Sequence, residues 1–266
     1  MNINENKIAI LDIDSICFAI GWGNKVPDGQ GDFLRDEKGR LIYVDKTEEE
    51  LMQAADMTIN DILAKSGCTH YVGFIKGRNT AAHRYQTKSD YKSNRPKESP
   101  KWWSFVKDYL ISIYNIHPVD NIEVDDAVNI AKLTIENSFI VAIDKDLLHL
   151  EGTHYNWRTD EWNTVTQEEA ETYFWQDMII GQPGDGVSGI PGKGKAYANK
   201  IHCTALSVLT EYIHYYGEHL GIQEYYKNYT CLKILDDYED FIVPEPIEFN
   251  VVKIDKEEDD SSLTLW

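Results

Sequence analysis

The chain reads as an α/β protein: a mostly parallel central sheet flanked by helices, followed by a helical C-terminal region. Three observations predict this. Lys7–Ile13 (KIAILDI), Tyr71–Ile75 (YVGFI) and Phe139–Ile143 (FIVAI) are short apolar runs rich in β-branched residues, the pattern of strands buried on both faces. Segments with apolar residues at helical spacing separate them, and strands that alternate with helices pair in parallel. From about Lys195 to Leu235 helical patterns take over.

Taken in order, Ser15–Ile20 opens a helix, Pro27–Gly31 is turn-rich, and Asp32–Asp45 forms a small hairpin turning at Glu37–Arg40. Thr47-x-x-Glu50 has capping-box form, with Leu51, Ala55, Thr58 and Ile62 following at helical spacing. The polar, basic stretch Lys76–Lys101 is too long and hydrophilic for a tight connection. Trp102–Tyr114 is a helix and Asn115–Val119 a short strand. Asp126–Asn137 is a helix with Ala127, Ile130, Ala131 and Ile135 on one face. Gly152–Val165 suits a Trp-rich hairpin, and Thr166-x-x-Glu169 caps a helix reaching Ile180. The expected division is an α/β core over 1–180 that includes the basic segment 76–101, a helical region over 181–235, and a loosely held acidic tail over 236–266.

Composition sets outer bounds. With 266 residues, 42% hydrophobic and 27% charged, the chain is ordinary for a globular protein with an ample core. No apolar stretch approaches the roughly 20 residues of a membrane span, and MNINENK lacks the layout of a signal peptide. Four scattered cysteines without a CxxC pair point to reduced thiols and a cytoplasmic location. A net charge of −19 argues against a polyanionic partner until its distribution is considered. Eleven acids against two lysines fall between Asp236 and Asp260, whereas Arg78–Lys101 holds seven Lys or Arg against two acids. Such basic islands are compatible with nucleic-acid binding.

Val119–Ala131 (VDNIEVDDAVNIA) carries Glu123, Asp125 and Asp126 just before an apolar helical run. Asp125 or Asp126 suits a helix N-cap. A third acid is not needed for capping, and three close carboxylates repel unless a positive charge sits among them. The competing reading is a hard-metal site, because Mg2+ and Mn2+ prefer carboxylate oxygen. In an open parallel sheet, functional groups gather at the carboxyl ends of the strands. Asp12 ends the first strand, Asp144 ends another, and Asp146 follows two residues on. Six carboxylates thus converge, with Asp185 a seventh. Two divalent ions about 4 Å apart would neutralise much of that charge and suit phosphoryl displacement.

The second signal is Gly189-Ile-Pro-Gly-Lys-Gly-Lys195, in which Gly189, Gly192 and Gly194 alternate with Lys193 and Lys195 ahead of a helical stretch. Glycines permit close backbone approach to phosphate. This is not a Walker loop, since Gly194 is followed by Lys195 and Ala196.

ILDIDSICFA, SDYKSNRPK, IEVDDAVNIA, VAIDKDLLHL and GQPGDGVSGIPGKGKAYANKI together resemble, in family order and over about Ile8 to Ile201, the 5′-nuclease superfamily of flap endonucleases and 5′–3′ exonucleases, particularly its bacteriophage branch. The resemblance implies a PIN-like α/β nuclease core acting on DNA with a free 5′ end, whether duplex, flap or nicked, and on RNA–DNA hybrids. For a phage-encoded chain the cytoplasm would be that of a bacterial host. It implies one metal site from Asp12, Glu123, Asp125 and Asp126, and a second from Asp144, Asp146 and Asp185, holding Mg2+ or Mn2+. It makes Gly189–Ile201 a helix–hairpin–helix-type element gripping duplex phosphates, often with a bound monovalent cation such as K+. The YKSNR stretch corresponds to the family's mobile arch. Lys92 and Arg95 would act on the scissile phosphate, Tyr91 would stack on a base, and Arg84 matches a basic position.

Two positions depart from the family pattern. Lys76 and Gly77 stand where an Asp is usual after the second strand, and Gly181-Gln182 stands where the loop usually opens Gly-Asp. Gln182 could ligate through its amide oxygen, and Asp14 could compensate at the other position. The departures leave open a DNA-junction-binding protein that has lost catalysis. A phosphatase using Asp12 and Asp14 is a third reading, because DIDS resembles the DxDx[TV] motif of haloacid-dehalogenase-like enzymes, but it leaves the basic segment and GIPGKGK unexplained. The tryptophans at 102, 103, 157 and 162 read as packing residues, and the histidines show no ligand spacing.

Overall fold

A computed structural model describes residues 7–95, 98–201 and 203–249. In chain order, β1 (Ile8–Asp12) runs almost directly into α1 (Asp14–Ile20), and β2 (Asn24–Lys25) pairs with β3 (Tyr43–Val44). Isolated bridges join Pro27 to Phe33 and Arg35 to Leu41, so the hairpin arm is longer than the Asp32–Asp45 the sequence predicts. α2 (Glu48–Ser66) begins with the expected capping box, in which Thr47 Oγ1 accepts from the Glu50 N–H and Glu50 accepts from the Thr47 N–H. β4 (His70–Lys76) is followed by the short α3 (Ala82–Thr87), then α4 (Trp103–Tyr114), β5 (His117–Val119) and α5 (Val124–Thr134).

β6 (Ser138–Val141) leads through a 3-10 turn, Lys145–His149, into the hairpin of β7 (Gly152–Asn156) and β8 (Glu161–Val165). α6 (Gln167–Ile180) opens on Thr166 with a second capping box. The segment just before the Gly189–Lys195 motif is a tight hairpin, β9 (Gly181–Gln182) against β10 (Val187–Ser188), turning through Pro183–Asp185. α7 (Lys195–Ala198), α8 (Ala205–Tyr216) and α9 (Glu218–Leu232) complete the helical region, and β11 is Ile247–Glu248.

Among the described residues the main sheet has seven strands, in the order β11-β4-β1-β6-β7-β8 with β5 also on β4. β1 pairs in parallel with β4 and β6, β4 with β5, and β6 with β7; β8 and β11 are antiparallel edges. Side chains of β1 alternate between two core layers. Ala9 and Leu11 pack with Leu51, Ile59 and Leu110 under α2 and α4, while Ile10 packs with Val72, Phe74, Ala127, Val128 and Ile140 under α5. A separate cluster of Met178, Ile179, Val208, Tyr212 and Tyr225 holds α6, α8 and α9 together.

The expected loose tail is corrected over its first part. Phe241 packs edge-on against Phe74 with ring centroids 5.7 Å apart, and β11 extends the sheet with Ile247 opposite Tyr71. The remainder of the acidic tail, 250–266, lies outside the described residues, as do Pro96 and Lys97 of the basic segment and His202. No helix among the described residues is long and apolar enough to cross a membrane.

Candidate metal and nucleic-acid site

Parallel pairing brings the carboxyl ends of β1, β4, β5 and β6 to one edge, and the acids gather there around a cleft of about 940 Å3. Two Asp-x-Asp turns fix the strand ends in the same way. Asp12 Oδ1 accepts the Asp14 N–H at 3.2 Å, and Asp144 Oδ1 accepts the Asp146 N–H at 3.0 Å. Asp12, Asp14, Glu123, Asp125, Asp144, Asp146 and Asp185 all line the cleft, together with Lys92 and Arg95. Six of the seven expected acids therefore meet there, and Asp14 joins them.

Their charges divide into two groups. Glu123 and Asp185 are already neutralised. Lys92 forms an ion pair with Glu123 and lies 3.6 Å from Asp185, Arg95 pairs with Asp185, and the Tyr91 hydroxyl lies between the two acids, 3.0 Å from Glu123 and 3.1 Å from Asp185, with its one proton to donate to either. The backbone of this segment, Tyr91–Arg95, is anchored by the Lys92 N–H on the Asp185 carbonyl, with Lys92 at φ +56°. Among the described residues, Asp12, Asp125 and Asp144 have no such cation. Burial, then Asp14 and Asp144, push Asp12 up to about 8. Burial, then Asp144, Asp12 and Glu123, hold Asp125 well above the ordinary carboxylate range. Asp146 is raised to about 6 by burial and by Asp144.

Such a group is costly unless positive charge enters the cleft. The donor set is all carboxylate oxygen, which fits Mg2+ or Mn2+ and not a soft metal. No three acidic, histidine or cysteine side chains among the described residues converge tightly enough to enclose an ion by themselves.

Asp126 does not line the cleft, and Arg84, at the cleft wall, is turned onto Asp126 and Glu123, so the metal role expected of Asp126 and the DNA contact expected of Arg84 need correcting. Glu123, not an aspartate, occupies the N-cap position of α5, while Asp126 faces the interior at 0% exposure. Its Oδ2 accepts from Arg84 Nη1 at 2.8 Å and from the Glu123 N–H at 2.9 Å; its Oδ1 accepts from Arg84 Nη2 at 2.8 Å and from the Leu235 N–H at 2.9 Å. Burial would raise the pKa of Asp126, but the Arg84 guanidinium outweighs it and holds the carboxyl below its usual range. No oxygen is left for a metal. Arg84, 2% exposed, cannot reach a phosphate from this position. Tyr91 is likewise 2% exposed, and its ring stands inside the protein rather than at a base-stacking surface.

In the glycine loop, Gly189 is buried where an added Cβ would run into the Ile179 carbonyl oxygen and the Gly181 N–H, so its smallness serves chain packing. Gly192, at φ +77°, and Gly194 are exposed, as is Lys195 at the start of α7. Lys193 is engaged: it pairs with Glu211 and donates to the Tyr197 hydroxyl at 3.1 Å.

Neither a family model nor a curated protein matches the chain. Solved structures do. A bacteriophage T5 protein co-crystallised with metal ions superposes with a TM-score of 0.61 at 14% identity, covering 85% of this chain and 90% of that one. The T5 5′-exonuclease with bound zinc gives 0.60 at 15% identity, covering 86% and 88%. A T5 flap endonuclease complex with DNA and metal ions gives 0.59 at 14% identity, covering 87% and 89%. The chain has the 5′-nuclease fold.

Within the 5′-nuclease fold, both departures noted in the sequence acquire a structural counterpart. At the end of β4, where Lys76 replaces an acid, Asp14 Oδ1 accepts the Lys76 N–H at 2.9 Å and places a carboxylate on the cleft. At the other, Gln182 Nε2 donates to Asp146 at 3.0 Å and Asp177 at 3.1 Å. Asp177 and its partner His149, 3.0 Å apart, went unnoticed in the sequence. The one available signal was the i, i+3 spacing of Asp146 and His149, which places both on the same side of a 3-10 turn.

Proposed function

We propose that the chain is a divalent-metal-dependent 5′ nuclease that hydrolyses phosphodiesters of DNA with a free 5′ end, in duplex, flap or nicked form, and of RNA–DNA hybrids. The observation that carries this reading is the coexistence, in one cleft, of three carboxylates that pair with no cation among the described residues and a segment bearing Lys92 and Arg95. The likeness to the T5 fold supports it.

Asp12, Asp125 and Asp144, with Asp14 and Asp146 beside them, would hold Mg2+ or Mn2+, as two ions. Bound there, the metal would supply an activated water and neutralise charge on the leaving oxygen. Lys92 and Arg95 orient the scissile phosphate by exchanging Glu123 and Asp185 for phosphate oxygens, an ion-pair exchange that keeps their charges compensated throughout. Gly192–Lys195 contacts backbone phosphate, with K+ as its cation, and sequence preference is small because contacts to phosphate carry no base information.

A second reading, a junction-binding protein without catalysis, draws on Lys76, Gly77 and Gln182. A labelled 5′-flap duplex separates the two. Cleavage in Mg2+ or Mn2+, absent with EDTA and absent in Asp144→Asn, is expected. Binding without cleavage in either metal would establish the second reading.

Lys193 yields a further expectation. Its hydrogen bond holds Glu211 below the ordinary carboxylate range, so at neutral pH Glu211 competes with DNA for that lysine. Glu211→Gln should tighten DNA binding at low salt and steepen the dependence of log K on log salt by about one unit. Fluorescence anisotropy across a salt series checks it.

A further inference from the structure

The hydrogen-bonded chain behind Asp146 consists of groups for which the reaction outlined above has no use. His149 is nearly buried, with a side-chain exposure of 6%, and its Nε2 meets Asp177 Oδ2 at 3.0 Å. Its Nδ1 is buried without a partner among the described residues, and its ring packs edge-on against Phe174 at 5.7 Å. Asp177 Oδ2 also accepts from Gln182 Nε2, and the same nitrogen donates to Asp146 Oδ1. An amide NH2 has two hydrogens, and here each goes to a different carboxylate. That fixes the amide's orientation, because the reverse placement would set its oxygen against two acids. The side chain lines the cleft, so the fixed amide leaves its oxygen as the group not committed to those carboxylates.

We propose that Gln182 is a positioning residue for the ion-binding edge of the cleft: it sets the orientation of Asp146 and is itself set by Asp177 and His149. Among the described residues, no other side chain hydrogen-bonds the Asp146 carboxylate; its backbone N–H is held by the turn on Asp144. Without Gln182 its carboxylate would be free to rotate beside Asp144, and an ion would have to order it on binding. A fixed outer partner removes that cost, which is how groups behind a metal ligand raise affinity. The chain thus substitutes a neutral donor for an additional acid, limiting the negative charge gathered at this edge while keeping Asp146 aimed.

The inference rests on the metal-dependent reading, and its test keeps the two apart. Mn2+ is titrated calorimetrically into DNA-free protein for the wild type, Gln182→Met, which keeps the length and removes both donors, and Asp177→Asn, which acts one step further back. Gln182→Met is expected to raise the Mn2+ dissociation constant about tenfold or more, and Asp177→Asn to raise it less. Flap cleavage by Gln182→Met should need correspondingly more Mn2+ and return to the wild-type rate at saturation, a split that mere loss of packing would not produce. Should Gln182→Met melt below the assay temperature, Asp177→Asn carries the test alone. A folded variant whose isotherm superposes on the wild type overturns the positioning role and leaves the nuclease reading standing. Absence of Mn2+ binding by the wild type overturns both.

Discussion

Replacing Asp12 with asparagine is expected to abolish cleavage and, at the same time, to make the metal-free protein more stable. Asp12 is 5% exposed at the end of β1, and burial with Asp14 and Asp144 beside it pushes its carboxyl from an ordinary 3.8 to about 8. A carboxyl that holds its proton more tightly folded than unfolded makes the fold less stable as pH rises between those two values. Metal-free wild type should therefore lose stability from about pH 4 to about pH 8, and Asp12→Asn should flatten that slope. The gain at pH 8 reads as a higher melting temperature, by about 2–4 °C per kcal/mol recovered for a chain of this size class. Mn2+ should raise the wild-type melting temperature and leave that of the variant nearly unchanged. Flap cleavage should fall by a factor on the order of a thousand, the loss of several kcal/mol of charge stabilisation. Melting curves at pH 5 and pH 8, with EDTA or Mn2+, check the first part and single-turnover cleavage the second. A variant less stable than wild type at pH 8 without metal would show that Asp12 is held by contacts rather than strained by its neighbours.

What the sequence revealed about this cleft follows from how its parts are built. Asp12 and Asp144 were legible because each directly follows or ends an apolar run, and parallel strands leave their ends on one edge. The capping boxes at Thr47 and Thr166 were legible because they are local, requiring only residues three apart. The roles of Asp125 and Asp126 were not separable by reading the chain. Adjacent residues at the start of a helix point about 100° apart, so one faces the cleft and the other the interior. Which is which depends on Arg84, 42 residues earlier, and on Leu235, 109 residues later. Tyr91, expected to stack on a base because YKSNR resembles the family's arch, is 2% exposed, with its ring edge-on to Tyr85 and its hydroxyl between Glu123 and Asp185, contacts that come from residues distant in the chain. The fate of the tail after Asp236 turned on two apolar residues, Phe241 and Ile247, within an otherwise acidic run.

Arg84→Ala is expected to destabilise the protein by about 3–5 kcal/mol while leaving the electrostatic character of DNA binding unchanged. The guanidinium is enclosed: besides the two bonds to Asp126, it donates to the Cys231 carbonyl at 3.1 Å and the Lys233 carbonyl at 2.8 Å, and lies 3.0 Å from Glu123. Burial opposes its charge, but the paired carboxylates outweigh it and raise its pKa further. One side chain thus ties α3, the start of α5 and the end of α9 together. Truncation leaves Asp126 charged, at 0% exposure, with two carbonyls also stripped of their donor. At about 2–4 °C per kcal/mol, the melting temperature should drop by roughly 10 °C. Lysine should not rescue it, because a point charge cannot span both Asp126 oxygens and two carbonyls. Replacing the pair together, as Arg84→Met with Asp126→Leu, should recover much of the loss, since well-packed apolar residues remove the uncompensated charge. A phosphate-contacting arginine behaves differently: its removal leaves stability almost untouched and lowers the salt slope of DNA binding by about one unit. Denaturant melts and a salt series on the same variant therefore discriminate between an anchor within the fold and a contact to DNA. An unchanged midpoint with a shallower slope would return Arg84 to the DNA interface.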